Sequence, residues 1–283
     1  MQIRSERIGP VPQLAVDLCG SGTPLVFLHG LGGNRNNWRR QLERFGRDRL
    51  AVAFDFRGYG DSDDPPGTLV FGHFADDLER VLAACGGGPA DIVGLSMGGL
   101  VAQLLLARRP ECVRSLALIA CRPGDAPVAP GKQGRAFLAE RLSPIREGGA
   151  ETLATSLAPK LLGRDVPAAA HDEILASLKA LRPNNYLATL AARLTLAPFL
   201  DLSAVRVPVL VMAGTEDRVA SLAQMEALAA ALPDSRLVVL EGAGHLLNIE
   251  QPAQFDAALA EFLDEISTPR ARYARTRTRG EHA

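Results

Sequence analysis

The most constraining feature of this chain is a serine between two glycines, where an apolar run meets a helical pattern. Residues 94–98 read GLSMG, and the helical pattern continues over 100–109. A serine on a sharp strand-to-helix turn needs glycine neighbours, because the two backbones pass close together there. Such a turn exposes the Ser96 hydroxyl and places the Met97 N–H at a helix N-terminus, facing any negative charge beside it. The pattern predicts a nucleophilic serine; the alternative is a tight turn with an incidental serine.

The bulk composition is that of an ordinary globular protein. The chain has 283 residues, of which 47% are hydrophobic and 22% charged, with a net charge of −1. This charge gives no electrostatic reason to expect a nucleic-acid or membrane partner. The first residues lack the apolar core of a signal peptide, and no apolar run approaches the roughly 20 residues of a membrane span. The four cysteines form no C-x-x-C pair, which favours a reducing compartment. We therefore expect a cytoplasmic protein.

Apolar runs and helical patterns alternate along the first 120 residues. An antiparallel hairpin is expected over 3–18. The strands expected after it are 24–28, 50–54, the run that ends at the serine turn, and 113–120, with helices over 37–45, 71–82 and 100–109. Continuous apolar runs are typical of strands buried on both faces. The alternation predicts an α/β fold with an open, mostly parallel sheet and helices on both faces.

The alternation of predicted strands and helices stops between residues 125 and 199. The helical patterns in this region are 133–142, 150–162, 168–181 and 184–196. They are expected to form a cap over the carboxyl edge of the sheet, where ligands of α/β sheets bind, although a plain structural insertion has the same composition. The alternation of strands and helices then resumes, with strands expected over 207–214 and 236–240 and helices over 221–232 and 252–266. We expect a core of 1–124 and 200–267, a helical cap of 125–199 and a disordered, Arg-rich tail of 268–283.

Three reactive side chains each follow a predicted strand, in the order Ser96, Asp217, His245. Because parallel strands all end at one edge of a sheet, these side chains are expected to converge. A serine hydroxyl needs a base to take its proton, histidine is the base that titrates near neutrality, and a carboxylate orients that histidine. Asp125 and the weaker Glu216 are rival acids. Among the other histidines, His29 is expected to shape its Gly-rich loop by hydrogen bonding.

Two further segments carry a resemblance to the α/β-hydrolase superfamily. Residues 29–32, HGLG, resemble its oxyanion-loop motif, and residues 55–62, DFRGYGDS, resemble its D-x-R-G-x-G-x-S signature, which is a structural loop. The chain is similar to this superfamily over about 10–266. The resemblance implies an α/β-hydrolase fold with an inserted helical cap, and an oxyanion hole made by the backbone N–H groups of Leu31 and Met97.

Within that superfamily the chain most resembles the 3-oxoadipate enol-lactonase-like group. Residues 94–103, 183–193 and 245–252 carry this resemblance, and other small esterases share much of these segments. It implies a hydrolase that cleaves a small carboxylic ester or lactone through an acyl-enzyme. No cluster of His, Cys and Asp has metal-ligand spacing and no phosphate loop is present, so no metal or organic cofactor is expected.

Two other functions keep the same three residues. A C–C bond hydrolase of ring-cleavage products would need a cationic cap residue to hold a substrate carboxylate, for which Arg193, Lys160 and Arg135 are candidates. A ligand-binding protein of low turnover is the other possibility. In each case the expected partner is a small molecule, and the sequence does not define an oligomeric state.

Overall fold

The computed structural model describes residues 2–125 and 132–268, and a single eight-stranded sheet lies at its centre. The strands are β1 (Arg4–Ile8), β2 (Leu14–Cys19), β3 (Pro24–Leu28), β4 (Leu50–Phe54), β5 (Ala90–Leu95), β6 (Val113–Ile119), β7 (Val209–Gly214) and β8 (Ser235–Leu240). Their order across the sheet is β1-β2-β4-β3-β5-β6-β7-β8. Strand β2 is antiparallel to both of its neighbours, and every other neighbouring pair is parallel.

The order of the strands reverses at β3, which lies between β4 and β5. The register pairs Leu28, the last residue of β3, with Gly94 near the end of β5. The loops that leave these two strands therefore begin at the same level. In α/β sheets a crevice opens at such a reversal, outside the carboxyl ends of the strands, and ligands bind there.

Helices cover the sheet because its central strands are apolar on both faces. Every residue of β5 and β7 is buried. The helices of the core are α1 (Arg39–Phe45), α2 (Gly72–Ala84), α3 (Met97–Arg108), α7 (Leu222–Ala231), α8 (Leu247–Glu250) and α9 (Pro252–Ser267), with short 3₁₀ turns at Arg35–Trp38, Pro110–Cys112 and Leu202–Ala204. The predicted α/β class and mostly parallel sheet are confirmed.

The region between β6 and β7 is helical. It contains α4 (Lys132–Leu161), α5 (Ala168–Lys179) and α6 (Pro183–Leu194). These helices bury an apolar cluster of their own, which includes Leu157, Ile174 and Leu190. This arrangement supports the proposed division into a core and a cap, whose boundaries stay a prediction.

The end predicted at residue 142 for the first cap helix is wrong, whereas the break before the helix predicted over 150–162 is present. Helix α4 continues through Pro144 and loses helical geometry only at Gly148 and Gly149. A proline removes one N–H donor but keeps a helical φ, whereas Gly149 adopts a φ of +69°, which interrupts the helix.

The short helix α8 was not expected from the sequence, since it spans only four residues after His245. The predicted disordered tail lies, from residue 269 onward, outside the described residues. Within the described ranges, no helix is long and apolar enough to cross a membrane. The cytoplasmic location stays a prediction.

Candidate active site

Ser96 occupies the turn between β5 and α3 in a conformation that few residues adopt. Its φ is +52° and its ψ −109°, a combination that costs free energy and is found mainly at functional sites. The flanking glycines make the turn possible. A Cβ at Gly94 would lie 2.5 Å from a backbone nitrogen of α3, and one at Gly98 would collide with the Leu28 carbonyl oxygen. The Ser96 N–H donates to the Ile119 carbonyl at 2.8 Å, which ties the turn to β6.

His245 and Asp217 form a buried hydrogen-bonded pair beside the sheet edge. His245 Nδ1 lies 2.9 Å from Asp217 Oδ2, and the two residues are 5% and 7% exposed. The other carboxylate oxygen, Oδ1, accepts the N–H groups of Val219 at 2.7 Å and Ala220 at 3.0 Å. The backbone thus fixes the carboxylate, and the carboxylate fixes the imidazole with its Nε2 away from Asp217.

The two rival acids do not contact His245. Glu216 accepts the Arg164 N–H at 2.6 Å and so binds a residue of the segment between α4 and α5. Asp125 is exposed and lines a separate cavity with Leu202 and Gln224. Asp217 is therefore the acid that the structure brings to the histidine.

Ser96 and His245 lie on the wall of one cavity of about 290 Å³, together with Leu31 and Met97. The oxyanion loop passes close to the serine, because a Cβ at Gly30 would lie 3.4 Å from the Ser96 Cβ. Met97 is the first residue of α3, so its N–H has no acceptor within the helix. The structure thus brings all five predicted residues to this edge of the sheet, Asp217 behind the cavity wall.

His29 shapes the loop, as the sequence indicated. Its Nδ1 lies 2.8 Å from the Gly30 carbonyl oxygen, and the Phe56 N–H donates to its Nε2 at 3.2 Å. Since an amide N–H can only donate, Nε2 accepts and the proton is on Nδ1. Complete burial lowers the pKa of His29 below its usual 6.5, which keeps the imidazole neutral.

The cap contributes apolar and cationic side chains to the wall of the cavity. Its apolar side chains include Leu157, Ile174 and Leu178, and its polar ones include Arg141, Arg193 and Tyr186. Of the three cations considered from the sequence, only Arg193 reaches the cavity. Lys160 pairs with Glu140, and Arg135 is exposed on α4. Among the described residues, no group of three or more His, Cys, Asp or Glu could hold a metal ion.

One anchor of the histidine loop, residues 241–246 between β8 and α8, was not predicted from the sequence. The Glu250 carboxylate is 3% exposed and accepts three backbone N–H groups, those of Gly163, Gly244 and Leu246, at 2.8–2.9 Å. Gly163 belongs to the cap side and the other two flank His245. A buried carboxylate needs such donors, and its place five residues after His245 was the available signal. Arg141 and Arg122 on the cavity wall were missed as well, because nothing in their local sequence places them there.

Comparisons with known proteins agree with this architecture. The sequence profile of the α/β hydrolase fold family matches residues 23–252. The protein provisionally named carbamate hydrolase RutD of Pseudomonas savastanoi pv. phaseolicola is 30% identical over 246 residues, which cover 85% of this chain and 93% of that protein. The 3-oxoadipate enol-lactonase 2 of Acinetobacter baylyi is 30% identical over 237 residues, or 83% of this chain and 86% of the relative.

A solved structure extends the likeness to three dimensions. The thermophilic esterase from Thermogutta terrifontis, solved with malate bound, superimposes with a TM-score of 0.84 and 27% identity. The superposition covers 95% of this chain and all of that one. Because the family profile and the relatives both cover most of its length, the chain belongs to the α/β-hydrolase fold family.

Proposed function

We propose that this protein is a serine hydrolase that cleaves a small carboxylic ester or lactone. The observation that carries the proposal is the buried pair of His245 and Asp217, 2.9 Å apart, on a cavity that also exposes Ser96 at a strained turn. Two similar proteins support the same class of reaction, because their names describe hydrolysis of a lactone or an ester. They are the Acinetobacter baylyi enol-lactonase and the Thermogutta terrifontis esterase.

In this mechanism the Ser96 hydroxyl attacks the substrate carbonyl carbon while His245 Nε2 takes the hydroxyl proton. Asp217 stabilises the imidazolium and keeps the other ring proton on Nδ1. His245 then gives its proton to the leaving oxygen as the C–O bond breaks. In a lactone that oxygen stays attached to the acyl group. A water molecule then gives a proton to His245 and attacks the acyl carbon. The bond between that carbon and Ser96 Oγ breaks, and His245 returns the proton to Ser96.

The backbone N–H groups of Leu31 and Met97 would hold the oxyanion of each tetrahedral intermediate. Both residues lie on the cavity wall beside Ser96. The glycines at 30, 32 and 33 leave room around this loop, since side chains there would meet Ser96, Leu178 or Asn37. Donors that are fixed before the reaction need no reorganisation as charge develops, and each is worth about 10²–10³ in rate.

The test is acid release, followed in weak buffer, from a panel of lactones, short- to long-chain esters and a carbamate. We expect Ser96→Ala to lower turnover of the best substrate by roughly 10⁶ or to background, with an unchanged circular dichroism spectrum. Ser156→Ala is the matched control, because that hydroxyl bonds within its own helix and is exposed. A Ser96→Ala variant with full activity would contradict the mechanism. Tight ligand binding without any turnover in the wild type would favour a binding protein.

One observation favours a second reaction of the same site, C–C bond hydrolysis of ring-cleavage products. Such substrates carry a carboxylate beside a diketone, and Arg193 lies on the cavity wall where it could hold that group. A vinylogous diketone acid in the panel distinguishes the two reactions. Ser96-dependent cleavage of this compound, without cleavage of any ester or lactone, would replace the first proposal by the second.

A further inference from the structure

We propose that the substrate carries a carboxylate, which Arg193 and Arg141 of the cap bind on the wall of the cavity. The substrate class is then a monoester of a short dicarboxylic acid, or a small lactone that bears a carboxylate. This inference rests on the proposed function, because the anion site and Ser96 share one cavity.

Arg193 lies on the buried face of α6, where an arginine normally has a hydrogen-bond or ion-pair partner. It follows Tyr186 and Leu190 along the buried face of α6, at positions i, i+4 and i+7. Its Nε is buried and has no hydrogen-bond partner. Within 2–125 and 132–268, no carboxylate lies at ion-pair distance from its guanidinium. An anion supplied from outside would complete this site.

The surroundings of Arg193 disfavour its charge. Burial, and then repulsion from Arg122 and Arg141, lowers the pKa of the Arg193 guanidinium to about 10. The group remains charged at neutral pH, so the protein maintains a buried cation among other cations. A bound carboxylate stabilises the charged form of Arg193, since an opposite charge within hydrogen-bond distance favours that form. Arg122 lines the same cavity and adds to its positive potential.

Arg141 and Arg193 both lie near the same aromatic ring, that of Phe137. The guanidinium carbons of Arg141 and Arg193 lie 4.9 Å and 5.9 Å from the centre of the Phe137 ring. Arg141 also pairs with Glu140 at 3.1 Å, but Glu140 binds Lys160 as well, so one carboxylate faces two cations. The ring face helps to hold two like charges together, and the positive charge of the pair is left incompletely balanced.

The recognised group is a carboxylate because of the shape of the donors and the size of the cavity. A guanidinium binds both oxygens of a carboxylate in a planar, two-point contact. The buried hydroxyl of Tyr186 lies on the same wall and adds a donor near the two arginines. The cavity of about 290 Å³ suits a small molecule, and its apolar lining residues fit a short chain between the ester and the anion.

The test compares kcat/KM for monomethyl adipate and for methyl hexanoate, which differ in a terminal carboxylate. We expect the wild type to favour monomethyl adipate by at least tenfold. Arg193→Met should lower this preference at least tenfold, and Arg193→Lys, which keeps the charge but not the fork, should fall between the two. Damage to the fold or to the Ser96 machinery lowers both kcat/KM values and leaves their ratio unchanged. Arg135→Met is the matched control, because Arg135 is exposed on the same cap and does not line the cavity.

A binding measurement separates this inference from the proposed reaction. Adipate and methyl hexanoate are each titrated into the Ser96→Ala variant and into the double variant that also carries Arg193→Met. Adipate binding that is at least tenfold weaker in the double variant supports the anion site, even if no ester is hydrolysed. A wild type that prefers methyl hexanoate, or a preference that Arg193→Met and Arg141→Met both leave unchanged, would overturn the inference while leaving Ser96-dependent hydrolysis intact.

Discussion

The side chain of Asp217 shows how one residue can fix the protonation of another. Its Oδ1 accepts the Val219 and Ala220 N–H groups, and its Oδ2 faces His245 Nδ1. Both oxygens are used as acceptors, so the neutral histidine carries its proton on Nδ1 and presents a bare Nε2 to the cavity. In the proposed mechanism this is the nitrogen that takes the Ser96 proton.

Asp217→Asn is expected to lower kcat by roughly 10³–10⁴ while the protein remains folded. The asparagine oxygen must accept the Val219 and Ala220 N–H groups, so its NH₂ faces His245. Nδ1 then has to accept, the ring proton moves to Nε2, and the base is lost. Steady-state kinetics and thermal melting measure the two effects. Glu216→Gln is the matched control, since this neighbouring carboxylate contacts Arg164 instead of His245, and equal losses in both variants would contradict the assignment.

At the scale of residues, the sequence predicted the site residues whose positions depend on local backbone geometry or on their order along the chain. Gly94 and Gly98 identify the Ser96 turn because no other residue fits beside the strand and helix backbones. Arg193 was only one of three candidates, since its role depends on which face of α6 meets the cavity. Its position seven residues after Tyr186 on a buried stripe was the sequence signal. Arg141 depends on contacts between distant segments and had no comparable signal, and Glu250 had only its place five residues after His245.

At the scale of elements, the contact between the cap and the histidine loop leaves no space for side chains. A Cβ at Gly244 would lie 2.6 Å from the Leu162 carbonyl carbon and 2.7 Å from the Leu161 carbonyl oxygen. The His245 N–H donates to that same oxygen at 2.7 Å. The end of α4 therefore positions the histidine directly. The Glu250 carboxylate accepts backbone N–H groups from both segments and so joins them.

Gly244→Ala is expected to destabilise the protein by about 1–3 kcal/mol and to lower kcat/KM at least tenfold. The added methyl group must push the cap segment away from the loop, which moves His245, and small misplacements of a catalytic group have large effects on rate. Chemical denaturation and kinetics measure the two effects. Gly88→Ala is the control, because a Cβ there meets nothing within 4 Å. Full activity in Gly244→Ala would show that the contact does not position the histidine.

The elements themselves were largely predictable from their periodicity. The helix predicted over 71–82 is present as α2, and its apolar residues Phe74, Leu78, Val81 and Leu82 are buried. The errors have local causes. Helix α4 continues through Pro144, and α8 is too short for any periodic pattern to show. A short helix after His245 forms because its residues, such as Leu247, pack into the core, which a pattern of four residues cannot reveal.

At the scale of the whole molecule, the cavity lies between two apolar clusters. The larger cluster surrounds the sheet, and the smaller one is formed mainly by residues of α4, α5 and α6. The core contributes Ser96 and Leu31 to the cavity, and the cap contributes Arg141 and Arg193. A substrate with an ester at one end and a carboxylate at the other would therefore contact both parts at once, and its binding should stabilise the cap against opening.

Hydrogen exchange measures this coupling. In the free protein we expect the amides of α5 and α6 to exchange faster than those of β5, β6 and β7, because the cap helices rest on the smaller apolar cluster. Adipate at about 100 times its Kd stabilises the bound state by about 2.7 kcal/mol. In Ser96→Ala it should slow exchange in α4 and α6 by up to roughly 100-fold, because every opening that moves these helices away from the sheet releases the anion. Arg193→Met in the same background should abolish the protection. Protection of the sheet without protection of the cap, or protection that survives Arg193→Met, would mean that the anion does not link the two parts.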